Sequence, residues 1–304
     1  MPLHMAVVGG RGWLGRAIVA AARRRQMTVT IVSRQPGPGM VAADPADTAS
    51  LAAALCRSDV VVNAAGYRGG DAAVAAVANG ELPDKLGWLA AKAGWRLVHV
   101  GSAAEYGPSA AGPEMITEDH GCLPTSVYGM SKLAGTRAVL RWRARGAGVV
   151  VARVFNVVDH DLPPENPFHG IAVQVLQAAR GGGAGEVGIG DPSTIRDVGR
   201  RTTLASALVA LAVAGPATTA PQHPIVNICT GRPTSFADLA EAMARYLDVQ
   251  VKVRDLGWPR GGRIVGDPSL LRALVPLPRS DRLPDLARSI LASSTTPELT
   301  GEHR

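Results

Sequence analysis

The 304-residue sequence predicts an α/β fold in which a doubly wound parallel sheet is followed by a smaller α/β lobe. Two observations predict this fold class. In the first half, short β-branched runs alternate with alanine-rich stretches, as in repeated βαβ units. After residue 155, proline-rich and glycine-rich segments interrupt this rhythm, which indicates that a second lobe is inserted.

Five strands and four helices are predicted before residue 155. The β-branched runs predict strands at His4–Val8, Thr28–Ser33, Val60–Asn63, Leu97–Val100 and Val149–Val154. The alanine-rich stretches predict helices at Leu14–Arg25, Ala49–Leu55, Leu82–Ala93 and Val127–Arg145. An open parallel sheet built in this way binds its ligands at the carboxyl ends of the strands.

The second half predicts the smaller lobe and one return to the sheet. The lobe is predicted to contain, in order, the loop Asp161–Pro167, the helix Gly170–Arg180, the break Gly181–Gly185 and the strand Glu186–Ile189. A helix at Leu204–Ala214 and a strand at Pro224–Cys229 return to the sheet before the helix Ser235–Leu247 rejoins the lobe. We therefore assign residues 1–155 and about 196–230 to the sheet domain, and 156–195 and 231–304 to the lobe.

Composition and charge exclude several classes of protein. With 46% apolar and 19% charged residues, the chain is globular rather than disordered. The net charge of +7 comes from dispersed basic residues, so we expect no nucleic-acid partner. We see no targeting segment and no apolar run long enough for a membrane span, and we expect a cytoplasmic protein. Three distant cysteines show neither a disulfide framework nor a metal-ligand spacing, so we expect no metal site.

A glycine pattern directly follows the first predicted strand. Gly9, Gly12 and Gly15 form GxxGxxG in the segment Val8-Gly9-Gly10-Arg11-Gly12-Trp13-Leu14-Gly15, where a helix begins. Glycines at this position permit a tight turn, and backbone N–H groups there, including those of Trp13 and Leu14, can approach a pyrophosphate. The alternative is a glycine turn without a ligand, but the position after the first strand favours a dinucleotide.

Basic residues near this loop favour NADP(H) over NAD. Ser33 and Arg34 end the second strand, where NAD-specific folds usually place an acidic residue against the ribose 2′-hydroxyl. Arg34 at that position favours a 2′-phosphate, and Arg11 could be a second phosphate contact, although Arg34 could also be a plain surface arginine. Asp44 could accept a hydrogen bond from the adenine amino group or serve only as a turn residue.

Tyr128 and Lys132 form the most specific local pattern. They stand at i and i+4 on one face of a helix that starts just after Pro124. With four tyrosines and four lysines, such a pair is expected about 0.05 times by chance, although a plain surface pair is the alternative. A nearby ammonium and a positively charged nicotinamide would lower the pKa of the phenol and allow proton exchange. Ser102 ends the fourth strand, where it could donate a hydrogen bond to a substrate oxygen or be structural.

Several motifs in the right order resemble the extended short-chain dehydrogenases/reductases, which include nucleotide-sugar epimerases, dehydratases and 4-ketoreductases. These motifs are Gly9/Gly12/Gly15, Asn63-Ala64-Ala65-Gly66, Asn79, Ser102 with Tyr106-Gly107, Tyr128/Lys132, Arg153-Val154-Phe155-Asn156, Ile195-Arg196-Asp197 and Asn227-Ile228-Cys229-Thr230-Gly231. The resemblance spans nearly the whole chain and implies a Rossmann-type fold with a C-terminal substrate lobe. It implies a catalytic set of Ser102, Tyr128 and Lys132, with Asn79 in support, and cofactor contacts from Ala64, Ala65, Gly66, Tyr128 and Lys132.

The resemblance also implies a nucleotide-sugar substrate and a homodimer. Asn156 matches an asparagine that hydrogen-bonds the substrate diphosphate, and Arg196 matches an arginine that pairs with a substrate phosphate. Both residues could instead tie strand ends to the lobe. Arg260 or Arg263 could supply a further charge. Relatives commonly dimerise through the helices that correspond to Leu82–Ala93 and Tyr128–Arg145.

The residues after Ser102 discriminate between branches of the family. Sugar 4,6-dehydratases carry an Asp-Glu pair there, and Ala103 and Ala104 can supply neither the acid nor the base. The epimerase-reductases of fucose synthesis carry a Cys, and none lies between Ser102 and Tyr106. Because Arg34 favours NADPH, we expect a ketoreductase acting on the C4 keto group of a nucleotide-linked keto-deoxyhexose, as in antibiotic pathways. An NAD-dependent nucleotide-sugar 4-epimerase and a non-catalytic NADP-sensing protein are the alternatives.

Two segments depart from the family pattern. Asp159-His160-Asp161 replaces the usual Gly-Pro of the loop that leads into the lobe. Gly199-Arg200-Arg201 stands where relatives commonly carry acidic residues. The sugar and the base of the substrate are therefore not predicted from the sequence.

Overall fold

The computed structural model describes residues 3–108, 114–214, 224–276 and 281–292. Its main sheet has seven strands: β1 (His4–Val8), β2 (Thr28–Ser33), β3 (Met40–Ala42), β4 (Val60–Asn63), β5 (Arg96–Ser102), β6 (Val149–Val154) and β10 (Ile225–Ile228). All neighbours are parallel, in the order β10-β6-β5-β4-β1-β2-β3. The chain adds β2 and β3 on one side of β1 and then adds β4 and the later strands on the other side. Doubly wound sheets bind ligands at the point where the strand order reverses in this way, here between β1 and β4. The predicted fold class is confirmed.

Helices cover both faces of this sheet. On one face α1 (Trp13–Arg24) packs beside α7 (Arg201–Val213), and on the other lie α2 (Thr48–Leu55), α4 (Leu82–Ala93) and α5 (Val127–Arg143). The short helix α3 (Ala72–Ala76) and a π-helical turn, Val77–Glu81, lead into α4. Successive residues of β1 point alternately into the two apolar layers, as expected for a strand that is buried on both faces.

The smaller lobe has its own sheets and core. Four short strands pair in one sheet: β7 (Asn156–Val158), β9 (Ile195–Arg200), β11 (Pro233–Ser235) and β13 (Arg263–Ile264). A second pair is formed by β8 (Ala184–Ile189) and β12 (Gln250–Asp255). The helices α6 (His169–Arg180), α8 (Phe236–Tyr246) and α10 (Leu283–Leu291) bury an apolar cluster against these strands, whereas α9 (Ser269–Leu274) packs on β10.

The predicted helices and strands are present, with ends shifted by a few residues. The elements that are not predicted are the short strands β3, β7, β9, β11, β12 and β13, the helices α3, α9 and α10, and the π-helical turn. The edge strand β3 is not predicted, because three residues are too few for a periodic pattern. The predicted domain boundary near residue 196 falls inside β9, which pairs with β7, β11 and β13. Residues up to Arg200 therefore lie in the lobe sheet, and the return to the main sheet begins with α7 and continues with β10.

Two further observations bear on the sequence expectations. Cys56, Cys122 and Cys229 are free thiols, of which Cys229 is buried. In the ranges given above, no helix is both long and apolar enough to span a bilayer.

Candidate active site

The glycine loop between β1 and α1 is a tightly packed turn. Gly9 has a φ of +77°, and a Cβ placed on it would lie 2.6 Å from the backbone nitrogen of Ala65, so this side of the loop accepts only glycine. A Cβ on Gly15 would lie 2.2 Å from the carbonyl oxygen of Gly9. Gly12 caps α1 without a side-chain hydrogen bond, so the first-turn N–H groups retain their capacity to bind an anion. This cradle fits the pyrophosphate of a dinucleotide.

A cavity of about 410 Å³ begins beside this loop and extends to the lobe. It brings together ten residues singled out from the sequence: Trp13, Leu14, Ala64, Ala65, Gly66, Ser102, Tyr128, Lys132, Asn156 and Arg196. These residues come from the start of α1, the segment after β4, the end of β5, the helix α5 and the lobe strands β7 and β9. The cavity therefore places residues predicted to contact the cofactor beside residues predicted to contact a substrate.

The start of α5 places Tyr128 beside Ser102. The Ser126 hydroxyl caps α5 by accepting the Gly129 N–H at 3.0 Å. A Cβ on Gly129 would lie 2.5 Å from the Ala104 carbonyl oxygen, so glycine allows α5 to touch the 3₁₀ turn Ala103–Glu105 that follows Ser102. The side chains of Tyr128 and Ser102 line the same cavity.

The charge that acts on Tyr128 differs from the sequence expectation. Burial raises the pKa of Tyr128, and the Glu105 carboxylate acts in the same direction. The Arg68 guanidinium and the Ser102 hydroxyl oppose this rise. The guanidinium carbon of Arg68 lies 5.3 Å from the centre of the Tyr128 ring. Lys132 is the cation expected in this role from the sequence. Arg68 is not predicted, because one more arginine in an arginine-rich chain gives no signal.

Lys132 is buried and is already bound to the backbone. Its ammonium donates a hydrogen bond to the Val100 carbonyl oxygen at 2.6 Å. Burial lowers its pKa to about 8, and the negative charge of Glu105 opposes this shift. At neutral pH Lys132 is therefore still mainly an ammonium, held at the cavity wall and able to donate further hydrogen bonds.

A buried ion pair fixes Ser102 at the end of β5. Glu105 accepts the backbone N–H of Ser102 at 2.8 Å with one carboxylate oxygen and the Arg153 Nε–H at 2.9 Å with the other. Both charged side chains are buried, and Arg153 also lies over the Tyr106 ring, whose hydroxyl donates to Asn227. Ser102 and Glu105 fit the capping-box spacing, a signal that could have predicted this arrangement from the sequence.

Asn79 lies on the π-helical turn and does not line the cavity. Its amide nitrogen donates to the Tyr67 carbonyl oxygen and to the Ser131 hydroxyl, and its amide oxygen accepts the Tyr67 N–H. Ser131 in turn donates to the carbonyl oxygen of Tyr128. Asn79 thus ties the loop after β4 to the face of α5 that carries Tyr128.

On the lobe side, Arg196 and Asn156 reach the cavity and Arg260 does not. The Nη1 of Arg196 donates to the carbonyl oxygens of Ile195, Gly261 and Gly262, which holds the guanidinium at the cavity wall. The side-chain amide of Asn156 donates to the Asp197 carbonyl oxygen at 3.0 Å. Arg260 is exposed and lies outside the cavity lining, and Arg263 donates to the Glu114 carbonyl oxygen.

The residues predicted to contact adenosine lie outside this cavity. Arg34 is exposed at the end of β2, which is joined to the glycine loop by a hydrogen bond from the Gly9 N–H to the Val32 carbonyl oxygen. Ser33 donates its hydroxyl to the Gln35 carbonyl oxygen. One carboxylate oxygen of Asp44 accepts the Ala46 N–H, as in the turn role. Arg11 lines a separate groove beside α1.

The two departures from the family pattern meet in one ion cluster, which contacts the cavity-lining residue Trp13. Arg201, at the start of α7, lies 3.0 Å from Asp159 and 2.8 Å from Asp161. Asp161 accepts a hydrogen bond from the Trp13 indole and pairs with Arg16, both on α1. The Arg201 guanidinium lies over the Trp13 ring at 4.8 Å. The carboxylates of Asp159 and Asp161 therefore balance the charge of Arg201. The cluster also joins the glycine loop to the lobe.

Asp159 is the buried centre of this cluster. Burial raises its pKa, but the Ser289 hydroxyl, the His160 N–H and the Arg201 charge outweigh burial and hold the pKa of Asp159 below its ordinary value. Ser289 belongs to α10, so the last described helix of the lobe also contacts the cluster.

Comparisons with known proteins show the family to which this chain belongs. The family model described as "NAD dependent epimerase/dehydratase family" matches residues 5–229. The dTDP-6-deoxy-L-talose 4-dehydrogenase (NAD(P)(+)) of Kitasatospora kifunensis is 32% identical over 279 residues, which are 86% of this chain and 84% of that protein.

Two solved structures share the fold. The UDP-glucose 4-epimerase of Thermus thermophilus, in complex with NAD, has a TM-score of 0.79 and 20% identity, covering 97% of this chain and 100% of that one. RMD from Pseudomonas aeruginosa, complexed with NADPH, has a TM-score of 0.79 and 21% identity, covering 96% and 97%. The same architecture thus accompanies either nicotinamide cofactor.

The ion cluster yields a stability prediction for Asp159→Asn. This change removes the buried carboxylate partner of Arg201 and leaves only the more exposed Asp161 beside it, and we expect the free energy of unfolding at pH 7 to fall by about 2 kcal/mol. Because the folded pKa of Asp159 is depressed, its contribution is present above about pH 4 and is lost as the pH falls through the folded value. Urea unfolding at several pH values measures both effects.

The matched control is Glu165→Gln, which removes one negative charge from an exposed position in the same loop region. We expect it to change the free energy of unfolding by less than about 0.5 kcal/mol. Equal effects of the two substitutions would contradict the role assigned to the cluster.

Proposed function

We infer that this chain, which belongs to the NAD dependent epimerase/dehydratase family, uses NADPH to reduce the C4 keto group of a nucleotide-linked keto-deoxyhexose. As a member of that family it is an NAD(P)-dependent oxidoreductase. The observation that carries the proposal is the single cavity in which Tyr128, Ser102 and Lys132 face Asn156 and Arg196. A sugar carbonyl and a diphosphate are the two groups that such a set would recognise.

The reaction type is supported by what the cavity holds after Ser102. Ala103 and Ala104 line it and carry no acid or base, which argues against elimination of water. Glu105 is buried and paired with Arg153. The Kitasatospora relative is named as a 4-dehydrogenase of a nucleotide-linked deoxysugar, and the reverse of that reaction is reduction of a C4 ketone.

In this reaction the side chains of the cavity hold the substrate and the cofactor in place and donate a proton. The hydroxyls of Ser102 and Tyr128 hydrogen-bond the carbonyl oxygen, which polarises the carbonyl. When bound, the reduced nicotinamide supplies the hydride that this carbon accepts. Tyr128 gives its hydroxyl proton to the oxygen, so the ketone becomes an alcohol and Tyr128 is left as a phenolate. Lys132 would hold the cofactor ribose, and Arg196 would pair with a substrate phosphate.

The preference for NADPH is supported by Arg34. It is exposed at the end of β2, beside the glycine loop, at the position that faces the adenosine ribose in dinucleotide-binding folds. The planar guanidinium suits a 2′-phosphate. Arg11 in the glycine loop would be the second phosphate contact, and Asp44 would meet the adenine through the carboxylate oxygen that does not close its turn.

A homodimer through α4 and α5 is part of the proposal. Large apolar side chains are exposed along α3, the π-helical turn, α4 and α5, namely Val74, Val77, Trp88 and Met130. A groove of about 520 Å³ runs between the π-helical turn and α5. Covering this surface with a second copy would remove the exposed apolar area from water.

The proposal predicts NADPH oxidation with a nucleotide-linked 4-keto-6-deoxyhexose and its loss in Tyr128→Phe. Without the phenolic proton, we expect kcat to fall roughly 10²- to 10⁴-fold, while cofactor affinity is retained. Tyr246→Phe, at an exposed tyrosine on α8, should leave kcat unchanged. The rate of absorbance loss from NADPH measures both.

Three results would contradict this function. Equal activity of Tyr128→Phe and wild type would remove Tyr128 from the reaction. NAD that stays bound through purification, with interconversion of C4 epimers, would identify a 4-epimerase. Tight cofactor binding without turnover on any keto-sugar nucleotide would identify a cofactor-sensing protein.

The cofactor preference is tested by Arg34→Gln. Loss of one charged contact to the 2′-phosphate should raise KM for NADPH roughly tenfold and change KM for NADH by less than about twofold. Arg57→Gln removes the same charge from an exposed position and should change neither. If Arg34→Gln raises both KM values equally, Arg34 does not contact the 2′-phosphate.

The dimer is tested by Met130→Glu, which places a charge in the middle of the apolar surface and should shift the mass measured by light scattering from two chains to one. Met115→Glu, at a methionine of similar exposure elsewhere, should remain dimeric. A monomeric mass for the unmodified protein at micromolar concentration would contradict the homodimer.

A further inference from the structure

Arg68 is a cation that stands over the catalytic tyrosine. It lies in the loop between β4 and α3, and its side chain lines the cavity. Its guanidinium carbon is 5.3 Å from the centre of the Tyr128 ring, within the range of a cation–π contact. In the described ranges, no carboxylate pairs with Arg68, so its charge is not neutralised locally.

The backbone that carries Arg68 is fixed relative to Tyr128. The preceding residue, Tyr67, exchanges two hydrogen bonds with the Asn79 side chain, which also donates to Ser131 on α5. Ser131 is hydrogen-bonded to the carbonyl oxygen of Tyr128. Loop and helix are therefore tied together behind the cavity, and the guanidinium extends from a fixed base.

The other charged groups around Tyr128 are balanced or otherwise engaged. Glu105, behind Ser102, is neutralised by Arg153 at 2.9 Å. Lys132, one turn along α5, donates to the Val100 carbonyl oxygen, and buried His99 of β5 is neutral because burial and Lys132 lower its pKa. Arg196, on the lobe side of the cavity, is anchored to carbonyl oxygens of the lobe. Arg68 is thus the cation that acts on the phenol ring at close range.

We propose that Arg68 is a positioning residue that stabilises the phenolate of Tyr128 as its proton leaves, sharing a task expected of Lys132. The inference rests on the proposed function in that Tyr128 is taken as the proton donor. A cation 4–6 Å from an acid favours its ionised form. The same arrangement lowers the barrier to proton transfer, because the negative charge that develops on the phenol oxygen meets a charge already in place.

The direction of the pKa shifts agrees with the geometry. Burial raises the pKa of Tyr128, and Arg68 is the foremost of the groups that oppose this rise. Because Arg68 is exposed to solvent, part of its effect is screened, and added salt should weaken it.

The experiment is an ultraviolet titration of Tyr128 in the intact protein saturated with oxidised cofactor. The spectrum of Tyr128→Phe, subtracted at each pH, isolates the phenolate signal of Tyr128 from those of the other tyrosines. Arg68→Gln should raise the midpoint by about one pH unit, while Arg68→Lys should stay within about a third of a unit of wild type. Arg57→Gln, the same loss of charge at a distant exposed site, is the matched control.

Salt provides an independent readout. In the wild type, raising the salt concentration should move the midpoint upwards, and in Arg68→Gln this salt dependence should disappear. In turnover assays the alkaline limb of kcat for ketone reduction should shift to higher pH in Arg68→Gln by the same amount as the titration.

The outcomes separate this inference from the proposed function. A midpoint in Arg68→Gln equal to that in Arg57→Gln overturns the inference, whatever the activity. A rise in cofactor KM or a loss of kcat in Arg68→Gln without a shifted titration also overturns it, since Arg68 would then act on cofactor binding or folding. A shifted titration in a protein that reduces no keto-sugar nucleotide supports the inference and contradicts only the proposed function.

Discussion

The active site depends on the buried pair of Glu105 and Arg153. Removing two opposite charges from water costs hydration free energy. Here the attraction between the charges and a further contact of each side chain offset that cost. Glu105 accepts the Ser102 N–H, and Arg153 covers the Tyr106 ring whose hydroxyl reaches Asn227 on β10. The ends of β5, β6 and β10 are thereby joined behind the cavity. These contacts fix the position of Ser102, and the start of α5, which carries Tyr128, packs against the turn that follows Ser102.

Local pattern is sufficient to predict six of the seven strands of the main sheet and the short segments that carry the glycine loop and the Tyr128/Lys132 pair. The central strands β4 and β6 are buried along their whole length, so each is a nearly continuous apolar run. The glycine loop and the Tyr128/Lys132 pair each lie within a single short segment. The lobe is predicted less well. Strands such as β9 and β11 are short and carry polar residues, and they form only because distant segments pair with them.

Roles that depend on three-dimensional proximity cannot be predicted from the sequence. Arg68 is 60 residues from Tyr128 along the chain, and nothing in its neighbourhood distinguishes it from other arginines. Asn79 is expected to support catalysis, and the hydrogen bonds through Tyr67 and Ser131 supply a route for that support. Arg260 is a candidate because of its charge and lies outside the cavity, since charge alone does not fix where a loop residue points.

The ion cluster of Arg201, Asp159 and Asp161 links the glycine loop to the lobe through Trp13, the first residue of α1. The helix that follows the glycine loop and the lobe are thus coupled by one set of contacts and cannot be exchanged as independent modules. A chimera that grafts the lobe of a relative onto this sheet domain would have to carry residues 159, 161 and 201 together. The same coupling would restrict how the lineage could acquire a new sugar by recombination.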